Sequence, residues 1–146
     1  MRPNTPKVIS KKIISFLNSF SIHNKPVYLK FTRRSSKYMA GQCFDNCLVE
    51  SKVNNCEIIF GWLIWELKEL GFIEGEFHAV IKQSGKLIDI TPRIDNELKV
   101  LFVPDDNFSA ELKNGFWHGW YNIKSFNGKL NSTMPIKGIS KIDLIK

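Results

Sequence analysis

Residues 74–92 read Glu74-Gly75-Glu76-Phe77-His78-Ala79-Val80-Ile81-Lys82-Gln83-Ser84-Gly85-Lys86-Leu87-Ile88-Asp89-Ile90-Thr91-Pro92. Two short apolar and β-branched runs, 77–82 and 87–90, flank the turn pair Ser84-Gly85, and the pattern predicts a tight antiparallel hairpin. His78 falls on the first strand and Asp89 on the second. Pairing the strands brings imidazole and carboxylate together. A carboxylate beside a histidine fixes its tautomer and stabilises its protonated form, which suits a general base. Glu74 and Glu76 share the parity of His78, so alternation puts all three on one sheet face.

A general base of this kind serves a nucleophile, and the upstream candidate is Cys43 in Gly41-Gln42-Cys43-Phe44-Asp45-Asn46-Cys47. A loop ending at Gly41 runs into a helix predicted over 43–52. A thiol in the first helical turn faces unpaired amide N–H groups and the positive end of the dipole, both of which favour thiolate. Asp45, two residues on, opposes this if the side chains converge. Cys43 and Cys47 are four apart and share a helix face, so the competing reading makes both small buried hydrophobes. Cys47 and Cys56 are read as structural.

The order Cys43, His78, Asp89, with the histidine in Phe77-His78-Ala79-Val80 and the aspartate in Leu87-Ile88-Asp89-Ile90-Thr91-Pro92, resembles the transglutaminase-like and papain-like cysteine-enzyme superfamily. The match covers residues 41–92. It departs from the family pattern at Val80, where an aromatic residue is common, and in the small size of the chain. The resemblance implies an α+β fold in which the helix bearing Cys43 packs on an antiparallel sheet carrying His78 and Asp89. It implies acyl transfer at an amide or peptide bond, by peptidase, amidase, deamidase or transglutaminase chemistry, with no cofactor. The residues themselves suggest the backbone N–H of Cys43 as oxyanion donor and Gln42 as a second. One of Trp62 and Trp65, which alternation places on opposite faces, would floor the cleft; Trp62 is taken for that role.

At 146 residues the chain is expected to form a single domain, long enough to bury a core without disulfides or a structural metal. Hydrophobic residues at 43% and charged residues at 24% place it among folded rather than disordered sequences. No apolar run approaches the ~20 residues of a membrane span. The segment 13–20 is broken by polar residues and lacks a small-residue cleavage site, so no signal peptide is expected. Three cysteines cannot pair completely, and neither His78 nor His118 belongs to a His-x-x-x-His pattern, so the expectation is reduced thiols in a cytoplasmic setting and no metal.

Charge is unevenly placed. Residues 1–40 carry +9, residues 41–123 carry −6, and residues 124–146 carry +4. One reading has the basic ends compensating the acidic middle. The other gives the basic ends an acidic partner, nucleic acid, an anionic membrane or an acidic protein surface, and a noncatalytic binding module on the same scaffold would use the basic first forty residues to contact nucleic acid or an acidic protein. Arg33, Arg34 and Lys37 precede the Cys43 loop and either form a solvated loop or border the cleft.

Elsewhere, Thr5-Pro6 reads as a helix start, and Ile9, Ile13, Phe16, Leu17 and Phe20 recur at helical spacing for roughly 14 residues. Strands are predicted over 27–31, 56–65 and 100–103. Asp105-Asp106 is a turn and cap rather than a metal site, residues 114–121 are a lip or a hairpin, and His118 is the second candidate for a catalytic histidine. The tail residues Ile136, Ile139, Ile142 and Leu144 are expected to pair or pack at an edge.

Overall fold

In the computed structural model, which describes residues 2–95, 97–132 and 134–140, residues 81–88 fold as the predicted hairpin, but its second strand stops at Ile88, and Asp89, expected on that strand, bridges Phe31 instead. Ser84 and Gly85 both adopt left-handed φ, 52° and 77°, the combination that a two-residue turn needs to match strand twist. Along the chain come α1 (Lys11–Ser19), β1 (Val27–Leu29), α2 (Cys43–Asn54), β2 (Glu57–Leu67), a 3-10 turn (Lys68–Leu70), β3 (Phe72–Gln83), β4 (Lys86–Ile88), β5 (Val100–Pro104), β6 (Glu111–Lys113), β7 (Phe116–Trp120), β8 (Ile123–Phe126), β9 (Lys129–Leu130) and β10 (Lys137–Ser140). The architecture is mixed α+β with antiparallel sheets. The larger sheet runs β1-β5-β2-β3-β8-β9 with β4 also on β3, and the smaller runs β10-β7-β6.

Strand β3 is the spine. One edge pairs with β2 from Phe72↔Leu67 to Lys82↔Glu57. On the other edge β8 covers residues 72–75 and β4 covers 81–83, and among the described residues no strand pairs with 76–80. His78 lies at the centre of that window.

Side-chain parity separates two cores. Phe77, Ala79 and Ile81 of β3 join Trp62 and Ile64 of β2 beneath both helices, meeting Ile13, Phe16 and Leu17 of α1 and Cys43, Phe44 and Cys47 of α2. Val80 lies with Leu63, Trp65, Val100 and Phe102 in a smaller cluster. Trp62 and Trp65 therefore do point to opposite faces. The helix bearing Cys43 packs on the odd-numbered face of β3, while His78 is even-numbered and approaches Phe102, ring centroids 6.2 Å apart.

The N-terminal helix starts later than its Thr-Pro signal predicts. Thr5 Oγ1 donates to the Lys99 carbonyl at 3.1 Å, and Asn4 forms an antiparallel bridge with Glu66. Long-range pairing overrides the local cap, and Ser10 caps α1 instead, its Oγ accepting from Ile13 N–H at 3.3 Å. Residues 114–121 form the β6–β7 hairpin through Asn114 and Gly115, at φ 54° and 79°. β10 pairs with β7 and includes Ile139; Ile142 and Leu144 lie outside the described residues.

Gly61 stands opposite His78 in the β2–β3 ladder, which runs through it unbroken, and opposite Pro104 at the end of the β2–β5 ladder. A methyl group there would overlap the Val103 carbonyl oxygen and come within 2.7 Å of Phe102 Cζ. Gly61→Ala is predicted to destabilise the fold by about 1–3 kcal/mol, the usual range for overpacking a tight interior. Denaturant unfolding checks this; an unchanged midpoint would contradict the fit described.

Candidate functional site

The β3–β4 register pairs Ile81 with Ile88, and continuing it sets Asp89 across from Val80, on the face of His78 and diagonal to it. His78 Nε2 and Asp89 Oδ2 lie 3.2 Å apart, with side chains 1% exposed on both sides. Asp89 Oδ1 accepts the Thr91 N–H at 3.1 Å. Its main chain is fixed as well: Phe31 bridges to Asp89 in parallel, and Thr32 N–H donates to the Asp89 carbonyl at 2.8 Å. An ionised carboxylate only accepts, so Nε2 carries the ring proton and, in the neutral ring, Nδ1 holds the lone pair. Nδ1 is buried and makes no hydrogen bond among the described residues. Buried polar atoms in folded proteins are nearly always satisfied, so this exception calls for an explanation.

Cys43 is the first residue of α2 and is 1% exposed. Gln42 occupies the N-cap position without a side-chain capping bond. The helix start is held by Asn46, which sequence reading passed over. Its Nδ2 donates to the Met39 carbonyl at 2.9 Å and to Thr91 Oγ1 at 3.1 Å, and its Oδ1 accepts the Met39 N–H at 3.3 Å. One buried amide thus joins the loop before Cys43 to the segment after Asp89. A polar residue three positions after Cys43 in the same helix is visible in sequence, but its partners are not. Asp45 is engaged elsewhere: its Oδ1 accepts the Trp117 indole N–H at 2.7 Å, which docks the smaller sheet on α2.

Cys43 and His78 both line a cleft of about 360 Å³ at the β3 window, together with Thr91 and Asn122 from the segments that border it. Asp89, behind the ring, is not part of its wall. Trp65 lines the cleft; Trp62 does not, being fully buried with its indole N–H on Asp105 Oδ2 at 2.9 Å. Gln42 lines a different groove, with Arg34, Lys37 and Tyr38. There Tyr38 OH donates to the buried Glu50 at 2.6 Å, and burial, followed by that hydrogen bond, pushes the phenol up to about 12, so it stays a donor at neutral pH. Arg34 turns inward to Glu50 at 3.6 Å and Gln83 at 2.6 Å, and Arg33 is exposed. The anion-attracting border that these residues would form along the Cys43–His78 cleft is absent.

Glu74 and Glu76 share the cleft wall with His78, as their parity predicts. Burial, the largest cause, pushes the Glu76 carboxyl above the ordinary range; His78, the Trp65 indole N–H at 2.9 Å and Arg93 pull it back, and Glu74 adds to the rise. Burial likewise raises the Cys56 thiol, which fits a structural cysteine rather than a nucleophile.

His118 lies on β7 opposite Glu111 and Ile139, away from this cleft, and His23 is exposed. Among the described residues no group of three or more His, Cys, Asp or Glu side chains is arranged to hold a metal ion. Asp105 accepts the Asn107 N–H at 3.0 Å, the turn role expected of it. No described helix is long and apolar enough to cross a membrane. Compared with known proteins, the chain matches no family model, no curated protein and no solved structure.

The raised Glu76 carboxyl has a sign. A carboxyl easier to protonate in the folded state supports folding most at low pH, and that contribution is lost as pH rises through its raised value. Glu76→Gln keeps an acceptor for Trp65 and removes the charge. Its melting temperature is therefore predicted to exceed that of the unaltered chain at neutral pH, with the gain fading toward about pH 4, where an ordinary glutamate protonates. A gain that grows on acidification would contradict the burial argument.

Proposed function

We propose that the protein is a cysteine-dependent acyl-transfer enzyme acting on an amide or peptide bond, with Cys43 as nucleophile, His78 as base and then acid, and Asp89 as the group that orients the ring. The observation that carries this reading is the His78 ring itself: Nε2 held by a buried carboxylate, Nδ1 with no hydrogen bond, and a place on the wall that the Cys43 side also lines. A histidine buried for packing alone gains nothing from an orphaned nitrogen.

In the proposed sequence the Cys43 thiol gives its proton to Nδ1, and the thiolate adds to the carbonyl carbon. The Cys43 backbone N–H, at the first position of α2, stabilises the oxyanion. The carbon–nitrogen bond then breaks as Nδ1 returns the proton to the departing amine, leaving a thioester. Water, or a second amine, gives its proton to Nδ1, attacks the thioester and regenerates the thiol. Asp89 stabilises the imidazolium through Nε2–H without taking the proton. Since Nδ1 makes no hydrogen bond among the described residues, thiol and ring would close on one another when substrate enters, as catalytic hydrogen bonds commonly tighten in the complex.

A second reading, a noncatalytic module that binds an acidic protein or nucleic acid, is favoured by one observation. Lys7, Lys11, Lys12, Lys25, Lys30 and Arg33 are all exposed, and among the described residues Arg2–Asp95 and Arg34–Glu50 are the only ion pairs between the basic first forty residues and the acidic middle. That reading predicts salt-sensitive binding that survives Cys43→Ala.

Alkylation of Cys43 by a small neutral haloacetamide, followed against pH, tests the enzyme reading. The expected profile has substantial reaction at neutral pH and slows at least about tenfold in His78→Ala, with Asp89→Asn intermediate. Rates that follow a free thiol of pKa about 8.5 and ignore His78 would overturn it.

A further inference from the structure

The charges on the cleft wall do not balance. Four carboxylates, Glu74, Glu76, Asp95 and Glu97, face two arginines. Both arginines are engaged: Arg2 Nη1 lies 2.9 Å from Asp95, and Arg93 Nη2 lies 3.8 Å from Glu97 while its guanidinium sits 5.4 Å from the Trp65 ring centroid. Glu74 and Glu76 remain, side by side on one face of β3. Glu76 has the Trp65 indole N–H, a neutral donor. Glu74 has the Asn122 amide at 3.0 Å and a half-exposed Lys124 ammonium at 3.9 Å, a distance and exposure at which an ion pair contributes little. Arg93 offsets part of the charge on Glu76 without forming an ion pair with it, and among the described residues no buried cation pairs with either carboxylate, so the two repel one another and burial of Glu76 intensifies the repulsion.

A second observation points to a ligand that donates hydrogen bonds. The His78 side chain is only 1% exposed, lines the same cleft, and leaves Nδ1 unsatisfied; Glu97 Oε2, on the same wall, is also buried without a hydrogen bond among the described residues. Both atoms are acceptors in their resting states. An anionic ligand would add to the repulsion, and an apolar one would leave every acceptor unmet.

We propose that this cleft selects a cationic substrate group, an ammonium or guanidinium, received at Glu74 and Glu76 next to the reacting amide. A lysine-like ammonium carries three donors and an arginine-like guanidinium five, enough to serve both carboxylates at once. Only the position of the amide rests on the acyl-transfer reading; the cation site rests on the carboxylates and on the unmet buried acceptors beside them.

The test uses the full chain carrying Cys43→Ala, so that nothing reacts, titrated with N-acetyl-lysine methylamide, its neutral isostere N-acetyl-norleucine methylamide and the anionic N-acetyl-glutamate methylamide. Binding is read from isotope-labelled amide and imidazole resonances. The lysine compound is expected to bind at least about tenfold more tightly than the norleucine compound, with the glutamate compound weakest, and the preference should fall to threefold or less when Glu76→Gln is added. Glu74→Gln gives the same readout if the first variant folds poorly. Equal affinity for lysine and norleucine compounds, tighter binding of the glutamate compound, no binding of any, or a preference that survives both substitutions would each overturn the proposal. Lysine preference together with unassisted Cys43 alkylation in the unsubstituted chain would uphold the cation site and end the acyl-transfer reading, so the two failures are distinct.

Discussion

Strand β3 keeps its ladder with β2 from Phe72 to Lys82 but meets neighbours on its other edge only at its two ends. The interruption follows from the sequence after β4. Pro92 lacks an N–H to continue the ladder, and Asp89 is drawn off β3 by Phe31 and Thr32, while Thr91 is held by Asn46. The chain therefore peels away one turn of pleat after Ile88, and the edge from Glu76 to Val80 faces a cleft instead of a strand. Just before that departure, the register carried one residue past Ile88 sets the Asp89 carboxylate beside His78.

The thiol and the imidazole come from opposite sides of the sheet. α2 rests on the odd-numbered residues of β3, whereas His78 shares its parity with Val80. In a continuous sheet such side chains would be separated by the backbone layer. At the window the residues Cys43 and His78 nevertheless line one cleft. Removing a histidine and an aspartate from water costs several kcal/mol unless their geometry and hydrogen bonds compensate. Here Asp89 accepts from the Thr91 amide and Nε2, while among the described residues the ring has one hydrogen-bond partner. The uncompensated part sits at Nδ1, on the ring that borders the cleft.

The sequence made the hairpin legible because Ser84-Gly85 has the turn chemistry and the flanking runs alternate correctly. The start of α2 and the shared face of Glu74, Glu76 and His78 were legible for equally local reasons. Tertiary choices were not. Thr5-Pro6 has sound cap chemistry, yet Asn4 pairs with Glu66 and delays α1 to Lys11. Between the two tryptophans, alternation predicts opposite faces but not which one meets the cleft; the β2–β3 register decides it by setting Trp65 opposite Glu74. Gln42, expected as a second oxyanion donor, lines the neighbouring groove, and Asn46 is the polar residue that fixes the helix start. Arg34 reads as a surface cation and is instead half of an inward-facing pair with Glu50, a contact nothing local announces.

The central claim is that His78 presents an unprotonated Nδ1 to the Cys43 thiol while Nε2–H stays on Asp89. Imidazole nitrogen resonances of His78, titrated in the unsubstituted chain and in Cys43→Ala, test it most directly. The account predicts a proton on Nε2 throughout and an Nδ1 titration that changes when the thiol is removed. A proton resident on Nδ1 with Nε2 bare at neutral pH, or an Nδ1 titration identical in the two proteins, would contradict it.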